Sequence, residues 1–350
     1  MIDINNKKIA IIGGAGFIGH NLALALKKEG AEIYIIDSLQ VNNFLAFSSS
    51  DNHITNREFY LKMIDDRLRL LRINQINLII QDARDYGALT KILSDIKPQI
   101  LIHLSAVSHA SISNKDPYST FDHSLRTLEN ALDCARGTTV EHFIYFSSSM
   151  IYGDFKEEIV TEETICDPIG IYGVLKFAGE KIVIAYNQVF NLPYTIIRPS
   201  ALYGERCVSK RVGQIFIENA LTNNEIEIHG DGNDRLDFTY IEDLVNGVLK
   251  VIENENAKNQ IFNLTYGKSH SISDLMDILK EHFSDIDVTF RQKDEFTPHR
   301  GTLSIDKANK LIGYTPQYPL DKGFVKYIEW YKNFHRQFKE EQQIKSQVYG

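Results

Sequence analysis

Cysteine is scarce in this 350-residue chain: Cys134, Cys166 and Cys207 are the three it has, widely spaced and with no C-x-x-C pair. That argues against a disulfide framework or a zinc site, and the expected state is free thiols in a reducing cytoplasm. Long hydrophobic runs are missing too. Segments such as "ILIHL" end far short of the roughly 20 residues a bilayer-spanning helix needs, and the opening "MIDINNKK" lacks the apolar stretch of a signal peptide. No membrane partner is expected. Positive charge is in deficit, with 38 Lys and Arg against 46 Asp and Glu, a formal net charge of -8. Without a basic block to neutralise phosphates, nucleic acid is disfavoured as a partner. What is present, 43% hydrophobic and 24% charged residues at a mean hydropathy of -0.23, suits a soluble globular protein able to bury a core without staples.

Six apolar segments of strand length recur: "KIAIIG", "EIYIID", "NLIIQD", "QILIHL", "HFIYFS" and "YTIIRP", with helical spacing between most of them. Continuous apolar strands alternating with helices indicate an α/β fold with a doubly wound parallel sheet, helices on both faces. Residues 1–200 are assigned to this domain, with a polar, irregular insertion over 40–76 that carries one short amphipathic helix, and with further contributions from about 236–265. From about Tyr203 the alternation decays. Helices are expected near 208–223, 241–253, 271–283 and 321–338, so residues 201–338 form mainly a smaller, mixed α/β lobe, and 339–350 a frayed polar tail.

Between the first strand and first helix stand Gly13, Gly14, Gly16 and Gly19. Glycine suits a tight turn, close approach of backbone to a pyrophosphate, and close packing of helix on strand, while the helix N-terminus offers free N–H groups to the phosphates. A glycine pattern alone is weak. Here Asp37 ends the next strand at the distance expected of a ribose-binding carboxylate, so the pattern reads as a Rossmann dinucleotide fingerprint. A carboxylate at that place favours NAD over NADP, and no arginine follows it closely in sequence. Further along, "YGVLKFAGEKIVIAY" reads as a helix with Tyr172 and Lys176 spaced i, i+4 on one face. A free tyrosine has a pKa near about 10 and is a poor base until something stabilises its phenolate, which a lysine ammonium and a nicotinamide ring would do. Tyr-x-x-x-Lys is common by itself; after a dinucleotide fingerprint it gains weight.

From about Lys8 to Tyr331 the chain resembles the extended short-chain dehydrogenase/reductase family, in particular its nucleotide-sugar epimerases and dehydratases of the UDP-glucose 4-epimerase kind. The resemblance rests on "GGAGFIG", "QDARD", "HLSA", "SSSMIYG", "YGVLK", "RPSALYG", "GDGNDRLDFTYIED" and "GTLSIDKANKLIGYTP". It implies that Gly13, Gly16 and Gly19, with Phe17 and Ile18 in the same turn, cradle the pyrophosphate of NAD, that Asp37 holds the adenosine ribose, and that Asp82 and Ala83 lie along the adenine. Leu104, Ser105 and Ala106 would line the cofactor cleft, with Ser147, Tyr172, Lys176 and Pro199 also counted as cofactor contacts. Counting back from Tyr152 makes Ser148 the catalytic hydroxyl beside Tyr172 and Lys176. Ser148, Ser149, Arg235 and Arg300 are the expected substrate contacts, the two arginines as phosphate ligands or as ordinary surface residues.

The departures from the family pattern are equally informative. "HSLRT" puts His123 and Arg126 where members have Asn and Gly, Ser105 replaces the usual alanine, Ala201 stands where some epimerases carry asparagine, and "RLDF" shifts Arg235 one place upstream. Family dehydratases follow the catalytic hydroxyl with Asp-Glu, and decarboxylating relatives keep the glutamate. Here those positions are Ser149 and Met150, and methionine cannot move a proton. The expectation is therefore a 4-epimerase that passes hydride to and from bound NAD through a 4-keto sugar. The alternative is an oxidoreductase that releases the keto sugar; dehydratase or decarboxylase activity ranks lower, and a noncatalytic NAD sensor last. The expected substrate is a UDP-sugar. The family also implies a homodimer formed through the helices expected near 119–135 and 171–186. His103, His109 and His123 lack metal-ligand spacing, and no metal is expected.

Overall fold

The computed structural model describes residues 2–48, 56–107, 110–293 and 298–349. A seven-stranded, wholly parallel sheet is built from β1 (Lys8–Ile12), β2 (Glu32–Asp37), β3 (Asn77–Ile80), β4 (Ile100–His103), β5 (His142–Phe146), β6 (Tyr194–Arg198) and β7 (Gln260–Asn263). The first six are the apolar segments legible in the sequence. Side-chain alternation along β1 divides the core: Ile9 and Ile11 pack into one apolar cluster, Ala10 and Ile12 into another on the opposite face. This two-sided burial is why the strands read as continuous apolar runs rather than alternating ones. The strand order is β7-β6-β5-β4-β1-β2-β3, reversing direction between β1 and β4.

The principal helices are α1 (Phe17–Lys28), α2 (Arg57–Ile73), α3 (Thr127–Arg136), α4 (Gly170–Phe190), α5 (Val212–Leu221), α6 (Ile241–Glu253), α7 (Ile272–His282) and α8 (Leu320–Tyr349). The insertion after β2 supplies α2, which buries Phe59, Tyr60, Met63, Ile64, Arg67 and Leu71. Helix α5 starts later than its apolar spacing suggests, because Lys210 adopts a positive φ of 51°, a conformation that a right-handed helix excludes.

The frayed tail expected over 339–350 is overturned: α8 continues to Tyr349. Its extension is tied to the insertion. Phe338 meets Phe59 edge-on at 5.3 Å between ring centroids, and Lys62 Nζ donates to both carboxylate oxygens of Glu341 at 2.8 Å. The remaining Glu, Gln and Lys residues are good helix formers, so polarity there marks a solvated helix face.

In the smaller lobe, short strand pairings join distant segments. Thr302–Leu303 pairs in parallel with Ile159–Val160, Phe155 N donates to His299 O at 2.9 Å, and His299 N donates to Asp154 Oδ1 at 2.7 Å. Gly301 permits this approach, since a Cβ there would stand 2.9 Å from the Glu158 carbonyl oxygen. The consequence is positional: residues 298–303 lie over the turn that follows β5.

One buried group gives the sheet an acid sensitivity. His142 on β5 sits 2.7 Å, Nε2 to Oγ1, from Thr195 on β6. Burial, aided by the charge of Lys258, pushes its imidazole from 6.5 down to about 3. The unfolded chain therefore binds this proton first, and the stability contributed by the neutral ring is lost as pH falls from 6.5 towards about 3. His142→Leu is expected to be less stable than the parent at about pH 8 and to close much of that gap at about pH 5. Urea unfolding midpoints of the two proteins at both pH values test this; a gap that stays constant contradicts it.

Candidate active site

The reversal of strand order between β1 and β4 opens a crevice at the carboxyl ends of the strands, the place where open α/β sheets bind ligands. Gly13, Gly16, Phe17, Ile18 and Gly19 line it from the first turn, Asp37 from the end of β2, Asp82 and Ala83 from beyond β3, and Leu104, Ser105 and Ala106 from beyond β4. Gly13 has φ +77°, and a Cβ on it would stand 2.8 Å from Ser105 N; a side chain would fill the cradle. Gly16 caps α1 with no side-chain hydrogen bond, leaving first-turn N–H groups to meet an anion. Asp37 accepts from Ala15 N at 2.9 Å and Leu39 N at 2.7 Å. Burial raises its carboxyl pKa, those two N–H donors and the Arg67 charge opposing. A pyrophosphate-bridged dinucleotide fits this set.

Arg67 is a cation the sequence did not connect to Asp37, because it comes from the insertion. It is fully buried and donates to the carbonyls of Arg206 and Asn42, and it does not line the crevice. No guanidinium is thus offered to a ribose 2′-phosphate from that position. Asp82 is gripped by Arg84, whose Nε lies 3.0 and 3.1 Å from its two oxygens and which also reaches Asp122 at 2.9 Å. Of the two departures in "HSLRT", His123 lines the crevice, while Arg126 turns out towards Asp122, 4.0 Å away. Both lie in a π-helical stretch, Asp122–Arg126, a distortion often found at functional sites. His103 bonds Thr127 Oγ1 at 3.2 Å; burial and then the Lys176 charge push it down to about 3. His109 lies outside the described residues. Among the described residues no group of three His, Cys, Asp or Glu could hold a metal ion.

A second cavity, of about 790 Å³, adjoins the turn after β5 and is lined by Ser148, Ser149, Met150, Tyr172, Pro199, Arg235 and Arg300. Ser148 caps the turn Ser149–Tyr152, its Oγ accepting from Met150 N at 3.2 Å. An acceptor role there leaves the hydroxyl proton for a ligand. Tyr172 and Lys176 stand one turn apart on α4. Lys176, 6% exposed, donates from Nζ to Phe146 O at 2.7 Å and lies over the Tyr145 ring. Burial pushes its ammonium down to about 8 against the opposing charge of Glu180, a turn further on. Lys176 and Ser147 line neither cavity, although Ser147 Oγ is buried without a hydrogen-bond partner among the described residues.

Arg235 lines the cavity but is braced on Ser269, Nε to Oγ at 3.1 Å. Arg300 donates to Ser149 Oγ at 3.2 Å and Ser200 Oγ at 2.9 Å, with the Met150 sulfur 3.3 Å from Nη1. Sequence reasoning missed Ser200, Lys210, Arg211 and Lys293 in this wall. Ser200 comes from the loop leaving β6 and the three cations from loops of the lobe, where the adjacent cations of "SKR" at 209–211 were a local signal.

A family model described as the NAD dependent epimerase/dehydratase family matches residues 9–265. A Methanocaldococcus jannaschii protein named putative UDP-glucose 4-epimerase is 29% identical, the match covering 94% of this chain and 99% of that one. UDP-glucuronate 4-epimerase 1 of Arabidopsis thaliana is 26% identical over 93% of this chain and 77% of its own length. Among solved structures, UDP-glucuronic acid 4-epimerase from Bacillus cereus, in complex with UDP-glucuronic acid and NAD, is 26% identical with a TM-score of 0.83, covering 93% of this chain and 99% of that one.

Proposed function

Because the chain belongs to the NAD-dependent epimerase/dehydratase family, we propose that it is a nucleotide-sugar 4-epimerase working through a transient 4-keto sugar. The observation that carries this reading is the composition of one wall: Ser148 and Tyr172 face the same cavity, and the two residues after Ser148 there are Ser149 and Met150. Elimination of water would need an acid at that place to protonate the leaving hydroxyl; a serine and a thioether leave hydride chemistry. The Gly13–Gly19 turn and Asp37 would hold NAD, which when bound would accept the hydride and return it. Tyr172 takes the proton of the C4 hydroxyl and gives it back to the 4-keto oxygen. Ser148 donates a hydrogen bond to that oxygen, and the buried Lys176 ammonium supplies positive charge one helical turn from the phenolate. Between the two transfers the keto sugar turns over about its link to the nucleotide and presents its other face.

The matched relatives act on UDP-sugars by name, which supports a UDP-sugar here. A homodimer through 117–136 and α4 is part of the proposal, supported by the exposed apolar side chains Tyr118, Phe121 and Val174 on those segments. A cytoplasmic location is proposed from the three unpaired thiols. The protein as purified, given UDP-glucose or UDP-glucuronate and no added NAD, is expected to yield the C4 epimer with no net growth of reduced-nicotinamide absorbance. Stoichiometric consumption of added NAD would instead identify an oxidoreductase that releases the keto sugar, and no turnover with any nucleotide sugar would remove the enzymatic reading.

A further inference from the structure

Arg300 is the most unusual charge in the substrate cavity. Its Nη2 donates to Ser149 Oγ and Ser200 Oγ, both on buried residues, and among the described residues its Nη1 meets the Met150 sulfur. Nε is buried with no hydrogen-bond partner among the described residues. Among the described residues no carboxylate lies within ion-pair distance of it, whereas Lys293 in the same wall is paired with Asp234 at 2.6 Å. The carboxylate whose charge bears on Arg300 is Asp237, and its oxygens are already taken by Thr265 Oγ1 and the N–H groups of Gly267 and Leu303. Burial and the nearby Arg211 push the guanidinium below its ordinary range. A half-buried cation with no carboxylate beside it is costly, and the cost is relieved when an anion binds there.

The place of Arg300 decides which anion. Its contacts are Ser149 and Met150, the two residues directly after Ser148, together with Ser200 on the loop leaving β6. It therefore addresses the reacting end of the sugar. In a hexopyranose, C6 is carried by C5, the neighbour of C4, while the nucleotide hangs from C1 across the ring. Ser149 and Ser200 accept from the guanidinium, so each retains a hydroxyl proton to donate, and the three groups together make a cationic, donor-rich pocket. A planar carboxylate matches such a guanidinium. We propose that Arg300, with Ser149 and Ser200, binds the C6 carboxylate of the substrate, which makes the natural substrate a nucleotide hexuronate in preference to a neutral nucleotide hexose. This rests on the proposed 4-epimerase reading for which carbon sits at Ser148. It assigns Arg300 to the sugar and removes it from the diphosphate, for which Arg235, Lys210 and Lys293 remain in the same cavity.

The test is calorimetric binding of UDP, UDP-glucose and UDP-glucuronate to the NAD-loaded protein, with product analysis of the two sugars. The parent protein is expected to bind UDP-glucuronate at least about tenfold tighter than UDP-glucose. In Arg300→Met, UDP-glucuronate is expected to weaken by about 30-fold or more, with UDP changed little. Arg300→Lys, which keeps the charge but not the fork, is expected to fall between them. Equal or tighter binding of UDP-glucose by the parent protein overturns the inference without any variant, and so does an Arg300→Met protein that loses UDP and UDP-glucuronate alike, which would place the guanidinium on the diphosphate. A carboxylate preference without epimerised product sustains the Arg300 site while overturning the epimerase reading; epimerisation of UDP-glucose alone does the reverse.

Discussion

Tyr172→Phe is expected to lower turnover by about 10²–10⁴-fold, the range associated with losing a positioned acid–base group, while the protein remains folded and keeps its NAD. The substitution deletes one oxygen from a side chain that lines the substrate cavity and does not line the cofactor crevice. Nothing in the glycine turn or at Asp37 depends on it. In the proposed cycle the same oxygen moves the C4 proton in both directions, so its loss strikes both half-reactions. The measurement is initial rate of C4-epimer formation, beside the NAD content of the purified variant. Activity close to that of the parent would remove Tyr172 from the chemistry. Loss of NAD together with activity would point to a structural effect instead.

The largest expected effect on stability belongs to Arg198, at the end of β6. Its guanidinium forms a two-pronged pair with Glu180 of α4, Nε to Oε1 at 3.0 Å and Nη2 to Oε2 at 2.7 Å, with the side chains 3% and 1% exposed. Nη1 donates further to Tyr152 OH at 2.9 Å, which in turn donates to Asn263 on β7 at 2.8 Å. Arg198→Met leaves the Glu180 carboxylate buried without its partner, an arrangement that costs about 3–5 kcal/mol. Removing both charges, in Arg198→Met with Glu180→Leu, is expected to restore most of that loss, because a buried ion pair often does little better than apolar side chains of similar volume. Urea unfolding of the two variants makes the comparison. A single variant as stable as the double one contradicts it. Glu180 is also the carboxylate that opposes the burial of Lys176, so the double variant should fold yet hold a less favoured ammonium behind Tyr172.

How much of this was readable in the residue string follows from where each signal is stored. Strands β1 to β6 were legible because burial on both faces writes itself as a run of apolar residues, and the crevice because the glycine turn and Asp37 lie within one βαβ unit. Ser148, Ser149, Met150, Tyr172 and Arg300 were singled out, yet the contact of Arg300 with Ser149 and Met150 was not: its hydrogen bond to Ser149 joins residues 151 positions apart, set by a pairing between short strands that carries no periodic signal. Likewise Arg67 acts on Asp37 from the amphipathic helix of the insertion, whose place beside the crevice no local pattern encodes. The helical end of α8 was missed because a polar sequence of good helix formers reads like a solvated tail until Phe59 and Lys62 are seen against it.

The position of β7 in the chain has a consequence for how the protein is made. β6 ends at Arg198 and β7 begins at Gln260, with most of the residues between them belonging to the lobe. While a ribosome synthesises that stretch, β6 is the outermost strand of an unfinished sheet, its backbone donors and acceptors open on one side. The Arg198 hub is also incomplete until Asn263 arrives to receive the Tyr152 hydroxyl. The sheet is therefore completed late: a nascent chain ending near residue 200 has β6 as an open edge, and the lobe that shapes the substrate cavity must emerge before that edge is sealed.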